Sequence, residues 1–201
     1  MARPSDLAED LVTVDEFHRL VRDGQKADLI DGVIYMASPD SRRSNRLTSF
    51  LAYLLEGFVS ARDLGGQVFV TRFAFHLSDI RAPEPDVAYV RQERAHLVEE
   101  RGMRGGPDIA AEIVSRDSRA RDYGEKKQLY ADAGVSEYWI VDPLQKRAEF
   151  HVLSSGRYEL ALLEDNRIFR STVLDGFWLD VQWLLSEPLP NSFQVLGTIL
   201  S

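Results

Sequence analysis

The sequence predicts one domain of mixed α/β (α+β) class, a central mixed sheet flanked by helices with a β meander at its C-terminal end. Three observations carry that prediction. Leu47, Phe50, Leu51, Leu54, Leu55 and Phe58 recur at helical spacing, a stripe that needs a sheet to pack on. Short β-branched and aromatic runs bounded by Pro or Gly fill residues 67 to 115. The succession of strand, helix and strand from Ile109 to Val141 implies a parallel crossover.

Taken in order, residues 1–12 read as a flexible tail and 13–201 as the single domain. Thr13 and Glu16 form a capping box that opens a short helix ending near Gly24. Apolar residues on both sides of Asp31-Gly32 make a hairpin. Ser38-Pro39 then caps the long helix, which Gly65-Gly66 ends. Strands follow at about Gln67–Thr71, Phe73–Ser78, Asp86–Val90 and Ile109–Ser115. A helix over about Arg119–Ala133 stops at Gly134, and Glu137–Val141 is a strand closed by Asp142-Pro143. Beyond it, short strands around Phe150, Leu160, Phe169 and Trp178 alternate with turns at Ser155-Gly156 and Asp175-Gly176.

Composition narrows the chemistry. The absence of cysteine removes disulfide scaffolds, zinc-thiolate sites and thiol nucleophiles, so any metal must use oxygen or histidine. No stretch approaches the ~18 apolar residues of a membrane span, and the first ten residues lack the basic and apolar regions of a signal peptide. A cytoplasmic protein is expected. The net charge of −8 argues against a general nucleic-acid coat. Carboxylates that hold metal nevertheless become locally cationic, and clustered arginines make a basic stripe on an acidic protein.

Two carboxylates stand where carboxylates are costly. Asp86 directly precedes an apolar strand, and Glu112 interrupts the run Ile109-Ala110-Ala111-Glu112-Ile113-Val114. On neighbouring strands they would offer the charged oxygen ligands that Mg²⁺ prefers, with Mn²⁺ as a substitute. Ile113 is placed with them in the metal site. Lys126 lies within the helical stripe of Tyr123, Leu129, Tyr130 and Ala133, whereas Lys127 falls on its margin. An inward ammonium beside two carboxylates could act on a metal-bound water and on the charge of a phosphoryl transition state. The bland alternative is a buried salt bridge between Glu112 and Lys126 with no metal and no substrate.

Around this triad, Asp28, Ser115 and Asp122 are auxiliary candidates. Arg43 extends the apolar stripe toward its helix N-terminus, and Arg116 and Arg119 follow the Glu112 strand; all three are assigned to substrate phosphate. The four histidines show no ligand spacing, and Tyr138 and Trp139 read as core.

Asp122-Tyr123-Gly124-Glu125-Lys126 through Tyr130, Gly134-Val135 and Glu137-Tyr138-Trp139-Ile140-Val141-Asp142-Pro143 resemble the Uma-two-like branch of the PD-(D/E)XK nuclease superfamily. Leu29-Ile30-Asp31-Gly32, Pro85-Asp86 and Pro107-Asp108 through Ser115 match in the same order, so the resemblance spans roughly residues 13 to 160. It implies a restriction-endonuclease-like core, Asp86 and Glu112 as metal ligands and Lys126 as the catalytic lysine. It also implies endonucleolytic hydrolysis of DNA, double-stranded for preference, by a homodimer. Asp28 stands where the family has glutamate, Arg43 where histidine is common, and Arg116 where proline follows the serine. Two rivals stay open: a catalytically silent nucleic-acid-binding module, and a structural oligomerising protein whose charges form an ion-pair network.

Overall fold

The computed structural model describes residues 11–22 and 24–201. The expected tail therefore lies outside the described residues up to residue 10. Val12 already donates its amide to the Gly32 carbonyl at 3.0 Å, so packing begins before Thr13.

Thr13 opens α1 (Val14–Leu20) by the predicted capping box: its hydroxyl accepts from the Glu16 amide, and its own amide donates to the Glu16 carboxylate. Next, β1 (Ala27–Ile30) and β2 (Val33–Met36) form the predicted hairpin, with Asp31 at φ 48° and Gly32 at φ 75° in its turn. The long helix, α2 (Arg42–Ala61), is capped by Ser41 rather than at Ser38-Pro39. The Ser41 hydroxyl accepts from the Ser44 amide at 3.0 Å, while the Ser38 hydroxyl donates to Asp117.

The chain then runs through β3 (Gln67–Val70), β4 (Ala74–His76), β5 (Val87–Val90), β6 (Val98–Glu99), β7 (Gly102–Arg104) and β8 (Ile109–Ile113). The predicted strand over Phe73–Ser78 exists only as β4 and leaves the main sheet. Thr71 and Arg72 both take positive φ, 20° and 63°, and turn the chain so that β4 pairs in parallel with β7 in a separate three-stranded sheet.

The predicted helix over Arg119–Ala133 is two helices, α3 (Arg119–Tyr123) and α4 (Glu125–Asp132). Gly124, at φ −116° and ψ −91°, breaks the helical path between them. After the break, β9 (Glu137–Asp142) lies parallel to β8 as the crossover required, and β10 (Arg147–Ser154) and β11 (Arg157–Leu160) extend the sheet antiparallel. The six-stranded order is β11-β10-β9-β8-β5-β3.

The C-terminal meander is corrected in part. Only β10 and β11 join the main sheet; β12 (Ile168–Arg170) and β13 (Trp178–Asp180) pair with each other. Two helices that periodicity did not reveal follow, α5 (Val181–Leu185) and α6 (Ser192–Leu200). Gly57 lets α6 lie close to α2, because a Cβ there would meet the Leu196 side chain at 2.4 Å.

Strand alternation divides the core. Val87, Tyr89, Ile109, Ala111, Ile113, Trp139 and Val141 meet the α2 stripe on one face. Ala110, Val114, Tyr138 and Ile140 meet Ile30, Leu129 and Tyr130 on the other. Asp86 and Glu112 share the parity of Ala88 and Ala110, so the α3–α4 face receives them.

The C-terminal segment is tied down by Glu137, fully buried at the start of β9. Its carboxylate accepts from Trp139 Nε1 at 3.0 Å, from both Thr172 donors and from the Val173 amide at 3.1 Å. Removing it strands several donors at once, so Glu137→Ala should lower unfolding free energy by about 3 kcal/mol. Urea denaturation measures this directly; a loss within error would mean that the network contributes nothing to stability.

Candidate active site

Antiparallel pairing of Ala88 with Ala110 brings Asp86, just before β5, alongside Glu112 on β8. Asp86 Oδ2 accepts the Ile113 amide at 2.6 Å, which fixes the carboxylate against the neighbouring strand. From α4, Lys126 Nζ stands 2.8 Å from Glu112 Oε1, 2.8 Å from Asp28 Oδ2 and 3.8 Å from Asp122 Oδ1. Tyr130, one turn further on, donates its hydroxyl to Glu112 Oε1 at 3.1 Å. Lys26, just before β1, places Nζ 2.5 Å from Asp86 Oδ1. The Glu84 amide donates to Asp28 Oδ1 at 2.9 Å, and its carboxylate accepts from the Ala27 amide at 3.2 Å. Asp28, Asp86, Glu112, Asp122 and Lys126 are each between 1 and 6 % exposed.

Charge in this cluster is unbalanced. Among the described residues, Asp28, Glu84, Asp86, Glu112 and Asp122 face two ammonium groups, Lys26 and Lys126. Burial pushes Glu112 up to about 8 against the pull of Lys126, and it also raises Glu84 to about 7 and lifts Asp122. Burial would raise Asp28 as well, but Lys126 and Lys26 hold it below its ordinary value. Burial alone would depress Lys126; the carboxylates of Asp28, Glu112 and Asp122 overcome it and hold the ammonium well above the usual lysine range. Lys26 is held as a cation in the same way, by Asp86 first.

The residues fit a hard divalent cation in donor chemistry and in charge. All the acidic donors are oxygens, negative charge is in excess, and Asp122 Oδ1 is buried without a hydrogen-bond donor. Among the described residues no three acidic or histidine side chains already stand in ligating geometry. The two ammonium groups instead bridge the carboxylates, so the salt bridge between Glu112 and Lys126 is present.

The triad expected from sequence thus converges, and Asp28 and Asp122 join it. Ile113 contributes its main-chain amide to Asp86. Ser115 acts at one remove: it bonds Ser118, whose hydroxyl donates to Asp122. Arg116 is exposed beyond β8, and Arg119 pairs with Asp142 at 3.0 Å. Arg43 is not brought to the cluster. It sits on α2, across the sheet, and donates to the Leu184 carbonyl at 2.8 Å.

Sequence reasoning missed Lys26 and Glu84, although each lies two residues before a cluster carboxylate and alternation offered the signal. It also missed that His18 and His76, 58 residues apart, meet at 2.9 Å between their Nε2 atoms.

A family model named Uma2 and described as "Putative restriction endonuclease" matches residues 14–182. A solved crystal structure of a "putative nuclease belonging to DUF820" from Anabaena variabilis ATCC 29413 is similar in fold, with a TM-score of 0.71. It is 17% identical, and the match covers 87% of this chain and 97% of that one. No curated protein matches.

The raised Glu112 carboxyl has a consequence for metal-free protein. Its ordinary value is 4.5, so between there and about 8 the folded state binds a proton that the unfolded state does not. That contribution to stability is complete at low pH and is lost as pH rises through about 8; Glu84 acts in the same sense up to about 7. Half-buried His18 and His76 and buried His151, each lowered by burial first, act oppositely below 6.5. With chelator present, the melting temperature should therefore fall between about pH 6.5 and 8, and Glu112→Gln should remove most of that fall. A flat profile in the wild type, or an unchanged slope in the variant, counts against the assignment.

Proposed function

The chain belongs to the Uma2 family, and on that premise we propose that it is a Mg²⁺-dependent endonuclease that hydrolyses phosphodiester bonds of DNA. The observation that carries this reading is the meeting of Asp86 and Glu112 on adjacent strands, with Lys126 Nζ 2.8 Å from the glutamate. Asp86, Glu112 and the Ile113 main chain would hold Mg²⁺, or Mn²⁺ in its place. The ion supplies Lewis-acid polarisation of the phosphate and a more acidic water.

The remaining groups have distinct tasks. Three carboxylates keep Lys126 protonated, so it acts as a charged donor that positions water and offsets negative charge on the reacting phosphate, not as a base. Asp28 and Asp122 aim the ammonium; Tyr130 orients Glu112. Arg116, exposed at the end of the Glu112 strand, reaches toward the flanking phosphates, and Arg119 is held for the same edge by Asp142. Duplex DNA and a dimer of active sites, one for each strand, complete the reading.

One observation favours a second reading, a catalytically silent module on the same fold: Lys26 and Lys126 already neutralise carboxylates that a cation would use.

Calorimetry and cleavage separate the two. Wild type should bind Mn²⁺ and Asp86→Ala should lose that heat; equal heats and affinities would remove the metal site. In Mg²⁺, Lys126→Met should lose nicking of supercoiled DNA. Its melting temperature should drop without metal, since three carboxylates lose their cation, and recover when Mg²⁺ is added. Lys127→Met, on the flank of α4, should nick normally. A fully active Lys126→Met, or a folded and inactive Lys127→Met, would overturn the mechanism.

A further inference from the structure

We propose that a cleft walled by Arg22, Arg72 and Arg101 beside the Asp86 strand binds the phosphodiester backbone of the nucleic-acid substrate. The proposal rests on the nuclease reading above and supplies a substrate site distinct from Arg43, Arg116 and Arg119.

Three exposed guanidinium groups line one cleft of about 210 Å³, with Glu84 and Glu100 as its acidic members. At about 30 Å³ per water that is space for roughly seven waters, enough for a phosphodiester group. Among the described residues none of the three arginines is paired with a carboxylate; eight other arginines are also unpaired but scattered, and Arg42, Arg81, Arg94, Arg104, Arg119, Arg147, Arg167 and Arg170 are paired. On a chain of net charge −8, unpaired cations gathered at one place are positioned against the prevailing charge.

The backbone beside the cleft is strained. Thr71 and Arg72 take φ of 20° and 63°, and a β-branched residue at positive φ is a costly choice that persists where the surroundings enforce it. Those surroundings belong to the active site. The Thr71 amide donates to the Asp86 carbonyl at 3.1 Å, one step past the final pair of β3 with β5, Val70 with Val87. The turn carries Arg72 out of the sheet and across to Gly24, whose carbonyl accepts from Nη1 at 3.0 Å. That bond uses one of the five guanidinium donors and leaves the others for a ligand. Glu84, in the cleft lining, is bonded to Ala27 and Asp28, which joins the cleft to the carboxylate cluster. A strand whose phosphate rests on Arg72 therefore passes the Asp86 end of the sheet.

The test is binding of a short fluorescein-labelled DNA duplex by anisotropy in Ca²⁺ across a salt series, with Mg²⁺-dependent nicking in parallel. Arg72→Ala and Arg101→Ala should each weaken binding about tenfold and flatten the slope of log affinity against log salt by about one unit. Mn²⁺ calorimetry should be unchanged in both. Arg72→Gly separates side chain from backbone: it should lose the same affinity yet melt above Arg72→Ala, because both lose the bond to Gly24 and glycine alone accepts the positive φ. If wild type binds and nicks DNA while all three variants keep its affinity and salt slope, the cleft assignment is overturned and the nuclease reading stands. A wild type that neither binds nor nicks DNA overturns both.

Discussion

The buried ammonium of Lys126 is the constraint on which the rest of the site depends. A cation removed from water must be compensated by opposite charge held close, and Asp28, Glu112 and Asp122 provide more than one equivalent. The excess returns as a demand for positive charge, met by Lys26 at Asp86 and by protons on the least favourably placed carboxyls. Each member of the cluster is therefore defined by the others. The three elements that deliver them, the β1 hairpin, the β5–β8 pair and α3–α4, must dock together before any one of these charges is tolerable.

How much of this the sequence discloses depends on how local the cause is. Alternation and helical spacing are local, so the burial of Asp86 and Glu112 and the inward direction of Lys126 were legible. The capping box at Thr13 and the turn at Asp31-Gly32 were legible for the same reason. Gly124 was not: a glycine inside a helical pattern gives no sign of whether it is tolerated or breaks the axis, and here packing decides for the break. The departure of β4 from the main sheet was equally hidden, because it follows from positive φ at Thr71 and Arg72, residues whose own preferences point elsewhere.

Lys26 and Glu84 show a different limit. Their spacing from Asp28 and Asp86 was readable, but a charged residue beside a turn or a proline has an ordinary solvent-facing interpretation that spacing alone does not displace. What distinguishes them is the partner across space, Asp86 for Lys26 and the Ala27 amide for Glu84. The C-terminal helices were missed because α5 has only five residues and α6 lies at the chain's end, where a short apolar run reads equally as strand.

The distribution of the cluster along the chain also bears on how such a protein can change. Every charged group in it comes from before β9, while most of the chain after β11 packs around α2, held by Glu137 and by the close approach at Gly57; β11 itself lays Tyr158 against Tyr138 on the cluster's face of the sheet. The two regions answer to separate requirements, one electrostatic and one steric. Substitutions at exposed positions over residues 161–201 can thus reshape the outer surface while the charged cluster stays where it is.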